Sequence, residues 1–319
     1  MDINDENNLT VLLTLYDRHI YTQRWIDFNW NNSFDYVIAD GSSQNFNEEI
    51  ILKNIKHNIK YLRYKNDTCA KDYIEKVINA LGHVKTKYVM MADNDDFLVI
   101  NNIKKIVREL AIREGFIGAH GVIGSIYEKR NKFKEPFNEA RTCEHITNVQ
   151  GIEAIETCVN DYNYLHYSII DTKIQIKIFE DLFNSGCNNF YLTENFHTFL
   201  ALCYGKFLWN PKTFYIRQRN SEASNAANDL KNLYLNPLYD FILNEGYEKS
   251  YKNLCKRISE IINIKPEEIY LKIRFFYIKR YINHNELKIN YLNQNFRNFI
   301  SKFKYKYSSE NLKIIISRY

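Results

Sequence analysis

The 319-residue sequence has few of the residues that define disulfide-rich or turn-rich folds: six cysteines, ten glycines and four prolines. The cysteines are scattered, and no two form a Cys-x-x-Cys pair. This spacing argues against a zinc site or a disulfide scaffold and favours reduced thiols in a reducing compartment. Hydrophobic residues make up 45% and charged residues 25%, which is typical of a globular protein with a sizeable core.

The sequence also lacks the usual signals for export or membrane insertion. Its first residues, Met-Asp-Ile-Asn-Asp-Glu, are acidic and polar, unlike a signal peptide. No run of about 18 apolar residues predicts a transmembrane helix. We therefore expect a cytoplasmic protein.

Positive charge is concentrated near the C-terminus. Residues 231–319 contain 17 Lys and Arg against 8 Asp and Glu, whereas residues 1–230 carry a net charge of −4. This asymmetry predicts a first domain over 1–228 and a basic, aromatic-rich α-helical extension over 229–319.

The extension has more than one interpretation, centred on 266–282, PEEIYLKIRFFYIKRYI. A half-apolar helix of this kind usually packs on its own protein or on a second subunit, here as a homodimer, and we favour that interpretation. An interfacial helix on anionic lipid would instead place the protein on the inner face of the cell membrane. No nucleic-acid fold signature is present, so nucleic acid is not an expected partner.

Short apolar runs alternate with helical stretches in the first 100 residues. Strands are predicted at 9–15, 35–39, 59–64 and 87–92, and helices up to residue 29 and at 70–81. This succession predicts an α/β fold with a doubly wound, mostly parallel sheet. Ligands of such sheets bind at the carboxyl ends of the strands, where Tyr16, Asp17, Asp40 and the segment 93–96 lie.

Further elements are predicted along the rest of the chain. Helices are expected at 99–114, 151–160, 172–185, 193–204, 256–262, 266–282 and 292–303. Strands are expected at 115–128, 207–210 and 213–220, and a polar loop at 129–150.

Three carboxylates lie in four residues, Asp93-Asn94-Asp95-Asp96, directly after the strand 87–92. Their mutual repulsion near a buried strand is relieved by a divalent cation, and Mg²⁺ and Mn²⁺ prefer carboxylate oxygens. Alternate residues of a strand share a face, so Asp93 and Asp95 are expected to point into one cleft and bind the metal. The competing interpretation is a solvated loop, or an N-cap at Asp96 for a helix over 97–110.

Three motifs in this order, LTVLLTLYDR, VIADGSS and YVMMADNDDFL, resemble the GT-A glycosyltransferases of family 2. With a later Tyr-Ile-Arg-Gln, the chain is most similar to a bacterial surface-polysaccharide subgroup. The resemblance is clear over about 9–100 and looser to about 220. It implies a GT-A fold with a nucleotide-sugar part over 9–100 and an acceptor part over 101–228.

The resemblance also implies an activity. The donor would be a nucleoside diphosphate sugar, most simply UDP-linked, bound with Mn²⁺ or Mg²⁺. The acceptor would be a hydroxyl of a glycan or a lipid-linked glycan, as in capsule or lipopolysaccharide synthesis. The expected enzyme is an inverting transferase of the hexosyl or N-acetylhexosaminyl class.

Residue roles follow from the same resemblance. Asp40 would bind the base, Asp93 the ribose or sugar, and Asp95 the metal as its main ligand. Lys71 stands at a family Arg position, where it would meet the diphosphate as a point charge or remain a solvated helix residue. Arg217, with Arg219 on the same strand face, would neutralise the leaving diphosphate or form surface ion pairs. The complete set of expected nucleotide-sugar-binding residues is Thr14, Tyr16, Asp17, Asp40, Lys71, Asp93, Asn94 and Arg217.

The family's base belongs to a Glu-Asp pair at a helix start, which corresponds here to Glu194-Asn195 after a candidate N-cap at Thr193. An Asn cannot accept a proton, so Glu194 is the candidate base. The alternative is that Glu194 only complements the helix dipole.

Two other functions stay open. A nucleotidyl- or other phosphate-transfer enzyme would need a Gly-rich loop where this chain has Tyr16-Asp17-Arg18. A non-catalytic nucleotide-sugar-binding subunit is suggested by Asn195.

Overall fold

Nine strands in the described part of the chain form one mixed sheet. The computed structural model describes residues 8–53, 57–129, 132–139, 146, 149–160, 165–219 and 245–274. The sheet order is β3-β2-β1-β4-β8-β6-β9-β5, with β7 paired to β6. The strands are β1 Leu9–Leu15, β2 Asp35–Asp40, β3 Ile59–Arg63, β4 Tyr88–Asp93, β5 Phe97–Leu98, β6 Phe116–Lys129, β7 Lys132–Glu139, β8 Ile169–Asp171 and β9 Lys206–Arg219.

Helices cover both faces of this sheet. They are α1 His19–Asn29, α2 Phe46–Lys53, α3 Ala70–Leu81, α4 Ile100–Ile112, α5 Gly151–Asn160, α6 Thr172–Asn184, α7 Phe190–Tyr204, α8 Glu245–Ile262 and α9 over 266–274. Helices α1, α2 and α4 bury their apolar residues in one core, and α3 and α5 to α9 bury theirs in the other. The predicted α/β class with a doubly wound, mostly parallel sheet is confirmed.

The parallel half of the sheet explains why its sequence signal is strong. Strand β1 pairs in parallel with both β2 and β4, and every residue of β1 is buried. A strand covered on both faces carries a continuous apolar run rather than an alternating one. The register places Leu15 beside Asp40 and Thr14 beside Asp93, so three polar strand ends meet at one edge.

The predictions for the second half of the sheet need correction. The polar loop expected over 129–150 is wrong in part, because Lys132–Glu139 forms β7 against β6. The short strand β8, which enters antiparallel between β4 and β6, was not predicted. The two strands expected at 207–210 and 213–220 are one long strand, β9, whose pairing with β6 shifts register near His120 and Val122.

The described part of the predicted extension, residues 245–274, shares a hydrophobic core with the preceding helices. Apolar residues of α8 and α9 lie in the same core as α7, including Leu254, Ile258 and Ile269, which are all fully buried. Arg257 Nε also pairs with Asp181 Oδ1 of α6 at 2.7 Å. For residues 245–274 these contacts support the packed-helix interpretation.

Other parts of the extension, including 275–282 and 292–303, lie outside the described residues. Within the described ranges, no helix combines the length and the apolar character that crossing a membrane requires.

Candidate functional site

The loop after β1 has an unusual backbone that hydrogen bonds fix in place. Asp17 and Arg18 have φ values of 51° and 50°, a region that residues with a side chain seldom adopt. Asn47 Nδ2 donates to the carbonyl of Asp17 at 2.9 Å, and Asn94 Nδ2 donates to that of Arg18 at 3.2 Å. The Asp17 carboxylate accepts from the Ser43 amide at 2.9 Å. Polar side chains therefore build this loop around the strand ends.

The carboxylate of Asp40, at the end of β2, is fully buried and bonded within the protein. Its Oδ1 accepts from the amide and hydroxyl of Ser42, and its Oδ2 accepts from the Tyr61 hydroxyl at 2.9 Å. Arg63 Nη1 lies 3.3 Å from Oδ1. Asp40 thus shapes the turn after β2, and its contact with a nucleotide base stays a prediction, for which this fully buried carboxylate would have to become accessible.

Three carboxylates converge at the end of β4. Ligand oxygens of Asp93, Asp95 and Asp96 all lie within 4.8 Å of one another. Oxygen donors at this spacing fit a hard divalent cation such as Mg²⁺ or Mn²⁺. The residues present are therefore suited to the metal that the sequence predicts.

Asp96 is the most deeply buried of the three, and both of its oxygens have partners on β9. Oδ2 accepts from the Tyr215 hydroxyl at 2.8 Å and Oδ1 from the Gln218 amide at 2.8 Å. The expectation that Asp96 caps a helix is wrong, since α4 begins at Ile100 with Val99 before it. Burial, and then the neighbouring Asp95, raise the pKa of Asp96 well above its ordinary value.

Asp95 forms an ion pair with the loop after β1. Arg18 Nη1 lies 2.7 Å from Asp95 Oδ2, with the two side chains 19% and 9% exposed. Burial raises the pKa of the Asp95 carboxyl, and the charge of Arg18 acts in the opposite direction. Arg24 Nη2 donates to the Asp95 carbonyl at 2.9 Å and fixes the backbone of the cluster.

Asp93 faces the remaining polar groups of the site. Its Oδ2 accepts from the Tyr167 hydroxyl at 2.7 Å, and its Oδ1 lies 3.4 Å from the Thr14 hydroxyl. The guanidinium of Arg217 lies over the Tyr167 ring, 5.2 Å from its centroid. Tyr167 is the largest influence that raises the pKa of Arg217, and Asp96, Glu194 and Asp93 act in the same direction. Asp93, Arg217 and Glu194 therefore share one electrostatic environment.

Glu194 lies deeper in its helix than the sequence predicts. Helix α7 begins at Phe190 with Asn189 as its N-cap, whose side chain accepts from the Leu192 amide. Thr193 is therefore not the N-cap, and its hydroxyl donates to the Asn189 carbonyl at 2.9 Å. Glu194 falls in the second turn, where the effect of the helix dipole has declined.

The residue after Glu194 faces the protein interior, since Asn195 is fully buried. Asn94 is also fully buried, and its amide donates to the Arg18 carbonyl and to Thr22 Oγ1. Asn94 thus supports the loop after β1 in this structure, and its expected contact with the donor stays a prediction.

Two lysines of α3 have different environments. Lys71, the candidate for the diphosphate, is exposed, and its Nζ lies 5.5 Å from the centroid of the Phe183 ring. Lys76 is buried, pairs with Asp67, and donates to the Leu15 carbonyl at 3.0 Å. A Cβ at Gly41 would collide with the Asp67 carboxylate. The Lys76–Asp67 ion pair therefore packs directly against the turn after β2.

Two other candidates, Tyr16 and Arg219, and the histidine one turn from Glu194 are placed as follows. Tyr16 is half-buried at the end of β1. The side chain of Arg219 lies outside the described residues. His197 is buried beside His166, with its Nε2 3.1 Å from Gln175 Oε1, and burial lowers its pKa well below the ordinary value. A neutral histidine bonded in the core is a structural residue.

The sequence alone predicts no contact with the acidic cluster or its neighbouring turns for five residues that the structure places there. They are Arg18, Lys76, Tyr167, Tyr215 and Gln218. The last two belong to the Tyr-Ile-Arg-Gln stretch, in which the family resemblance implies a role for Arg217 only. Alternation along β9 could have indicated that Tyr215 shares a face with Arg217.

Comparisons with known proteins give a limited result. A scan against protein-family models found no match, and a search of curated proteins found none. Among solved structures, S. aureus TarS 1-349 is similar at 12% identity with a TM-score of 0.48, covering 88% of this chain and 90% of that chain. TarS 1-349 in complex with UDP-GlcNAc gives 12% identity and a TM-score of 0.48, with 87% and 79% covered. The similarity extends over most of this chain at low sequence identity.

Proposed function

We propose that this chain is a metal-dependent glycosyltransferase. It would transfer a sugar from a nucleoside diphosphate donor, UDP-linked, to a hydroxyl of a bacterial surface glycan or its lipid-linked precursor, with inversion. The observation that supports this most is the convergence of Asp93, Asp95 and Asp96 within 4.8 Å of one another at the carboxyl end of β4. Arg217 lies over the ring of Tyr167, whose hydroxyl donates to Asp93. The motif resemblance over 9–100 adds the donor class.

The donor would lie across the carboxyl ends of β1, β2 and β4, with its diphosphate at the acidic cluster. A divalent cation held by Asp93 and Asp95 would supply positive charge to the departing diphosphate. Asp96 would not be a direct ligand, because it is the most deeply buried of the three aspartates and β9 holds both of its oxygens away from the cleft. Asp96 instead orients the segment that carries Asp95.

Glu194 would accept the proton of the acceptor hydroxyl as the new bond to the anomeric carbon forms. The bond from that carbon to the diphosphate breaks, and the diphosphate leaves with the electron pair. Arg217, over the face of Tyr167, would stabilise the negative charge that develops. Asn195 is buried and cannot accept a proton, so Glu194 is the candidate base on this turn of α7.

The hydrolysis of UDP-sugars with Mn²⁺ present tests the proposed reaction. We expect slow release of UDP from at least one UDP-hexose or UDP-N-acetylhexosamine, since water can replace an unknown acceptor. Glu194→Gln should lower the rate by roughly a hundredfold or more without weakening UDP binding. Glu153→Gln, on the exposed face of α5, is the matched control and should change neither.

The outcomes separate the proposed reaction from its rivals. Full hydrolysis by Glu194→Gln would show that Glu194 is not the base. UDP binding with no hydrolysis of any donor would favour a non-catalytic binding subunit. Transfer of a nucleotidyl or phosphoryl group would favour the phosphate-transfer class.

A further inference from the structure

The acidic cluster is already paired with a cation that belongs to the protein. Arg18 Nη1 contacts Asp95 Oδ2 at 2.7 Å, and the charge of Arg18 also interacts with Asp93 and Asp96. We infer that Arg18 is an exchangeable counter-ion, which neutralises Asp95 until a divalent cation binds and then pairs with the donor diphosphate. This inference rests on the proposed function and adds a residue that controls loading of the site.

The side chain of Arg18 can exchange partners while its backbone stays in place. The carbonyls of Asp17 and Arg18 are bound by Asn47 and Asn94, and the Asp17 amide donates to Ser42 Oγ at 2.8 Å. These contacts keep two consecutive residues in the left-handed region. With the backbone fixed on both sides, the exchange is confined to rotation of a long side chain that is 19% exposed.

Electrostatics favours the exchange. Asp95 is 7% exposed, so charges near it are poorly screened by water. A guanidinium and a divalent cation on the same carboxylate would repel each other strongly in that environment. Arg18 therefore leaves Asp95 when this carboxylate takes a cation.

The diphosphate offers Arg18 its new partner. A guanidinium presents paired N–H donors that match phosphate oxygens, which a lysine would not. Arg217 lies on the Tyr167 side of Asp93, whereas Arg18 lies on the Asp95 side. Together the two arginines would contact a diphosphate from two sides of the cluster.

The test measures metal binding and nucleotide binding separately, by titration calorimetry on the full chain. For Arg18→Met without nucleotide, we expect Mn²⁺ to bind roughly tenfold more tightly than to wild type, because the competing cation is gone. With saturating Mn²⁺, we expect UDP to bind the same variant roughly ten- to a hundredfold more weakly. Opposite changes in the two affinities distinguish an exchangeable counter-ion from a residue that merely stabilises the loop.

Two further variants complete the design. Arg113→Met removes a charge from a side chain that is 54% exposed and paired with Glu109, so both affinities should equal those of wild type. Arg18→Lys keeps the positive charge but lacks the paired N–H donors of the guanidinium. It should therefore bind Mn²⁺ with the affinity of wild type and bind UDP more weakly. This variant provides the test if Arg18→Met does not fold.

Mn²⁺ affinity in Arg18→Met that is unchanged or weaker overturns the inference. Unchanged UDP affinity in both Arg18 variants also overturns it. Wild-type protein that binds neither Mn²⁺ nor UDP contradicts the proposed function instead.

Discussion

At the scale of single residues, the three aspartates after β4 have different surroundings although the sequence presents them as one cluster. Asp93 faces Thr14 and Tyr167, Asp95 pairs with Arg18, and Asp96 is bound on both oxygens from β9. Asp96 is the most deeply buried of the three and is fixed by a strand, whereas Asp95 pairs with a long side chain that is 19% exposed. These surroundings predict different effects for substitutions that look alike in sequence.

Tyr215→Phe tests the structural role of Asp96. The change removes the hydroxyl that donates to Asp96 Oδ2 and accepts from the Asp93 amide at 3.2 Å. Because a buried carboxylate would lose a partner, we expect the free energy of unfolding in urea to fall by about 1–3 kcal/mol. Tyr64→Phe, which removes a bond to the exposed Asn79, should cost less than about 0.5 kcal/mol. Equal losses in the two variants would refute the distinction.

At the scale of elements, α8 is part of the hydrophobic core that contains α7. Leu254 is fully buried against the core that contains α7, while Lys252 on the same helix is 54% exposed. Leu254→Ala should lower the free energy of unfolding by about 2–5 kcal/mol, because it leaves a cavity. Lys252→Ala should change it by less than about 1 kcal/mol. If both substitutions are neutral in thermal and urea unfolding, α8 does not pack as described.

Elements whose signal is local could be predicted from sequence, and elements that depend on distant partners could not. Strand β1 and helix α3 were located because a doubly covered strand and an amphipathic helix carry their own patterns. Strand β7 reads as a polar loop, since its stability comes from pairing with β6. The start of α7 was misplaced because Asn189 caps it ahead of two aromatic residues, while Thr193 resembles a cap equally well.

The candidate site follows the same division. The ends of buried strands can be predicted from apolar runs, so the sequence alone identifies Asp93 and Asp95 as candidate ligands. The partners of these aspartates lie in β1, in the loop after β1, just before β8 and in β9. No spacing in the sequence links Arg18 to Asp95, 77 residues away. Pairing of this kind depends on tertiary contacts alone.

At the scale of the whole molecule, buried histidines make the fold sensitive to acid. His120 is buried, with Nδ1 2.7 Å from Ser168 Oγ, and burial lowers its pKa to about 3. Burial lowers the pKa of His166 to about 4 as well. Since these folded-state values are depressed, the stabilising contribution is complete above the unfolded pKa of about 6.5 and declines as the pH falls below it.

His120→Asn tests this dependence, because the Asn amide can replace the bond from Nδ1 to Ser168. Between pH 7 and pH 5, the wild type should lose about 2 kcal/mol more of its unfolding free energy than the variant. His57→Asn, on the exposed surface, should follow the wild-type curve. Parallel pH curves for wild type and His120→Asn would show that His120 is not neutral in the folded state below pH 6.5.

The most direct test of the central claim is the affinity for UDP, measured by titration calorimetry with and without Mn²⁺ in wild type and in Asp95→Asn. A nucleoside diphosphate site built on Asp93 and Asp95 predicts that wild-type protein binds UDP with Mn²⁺ and at least tenfold more weakly without it. Asp95→Asn should show the weak affinity in both conditions. UDP binding that is independent of both Mn²⁺ and Asp95, or no UDP binding by folded wild-type protein, would contradict the account.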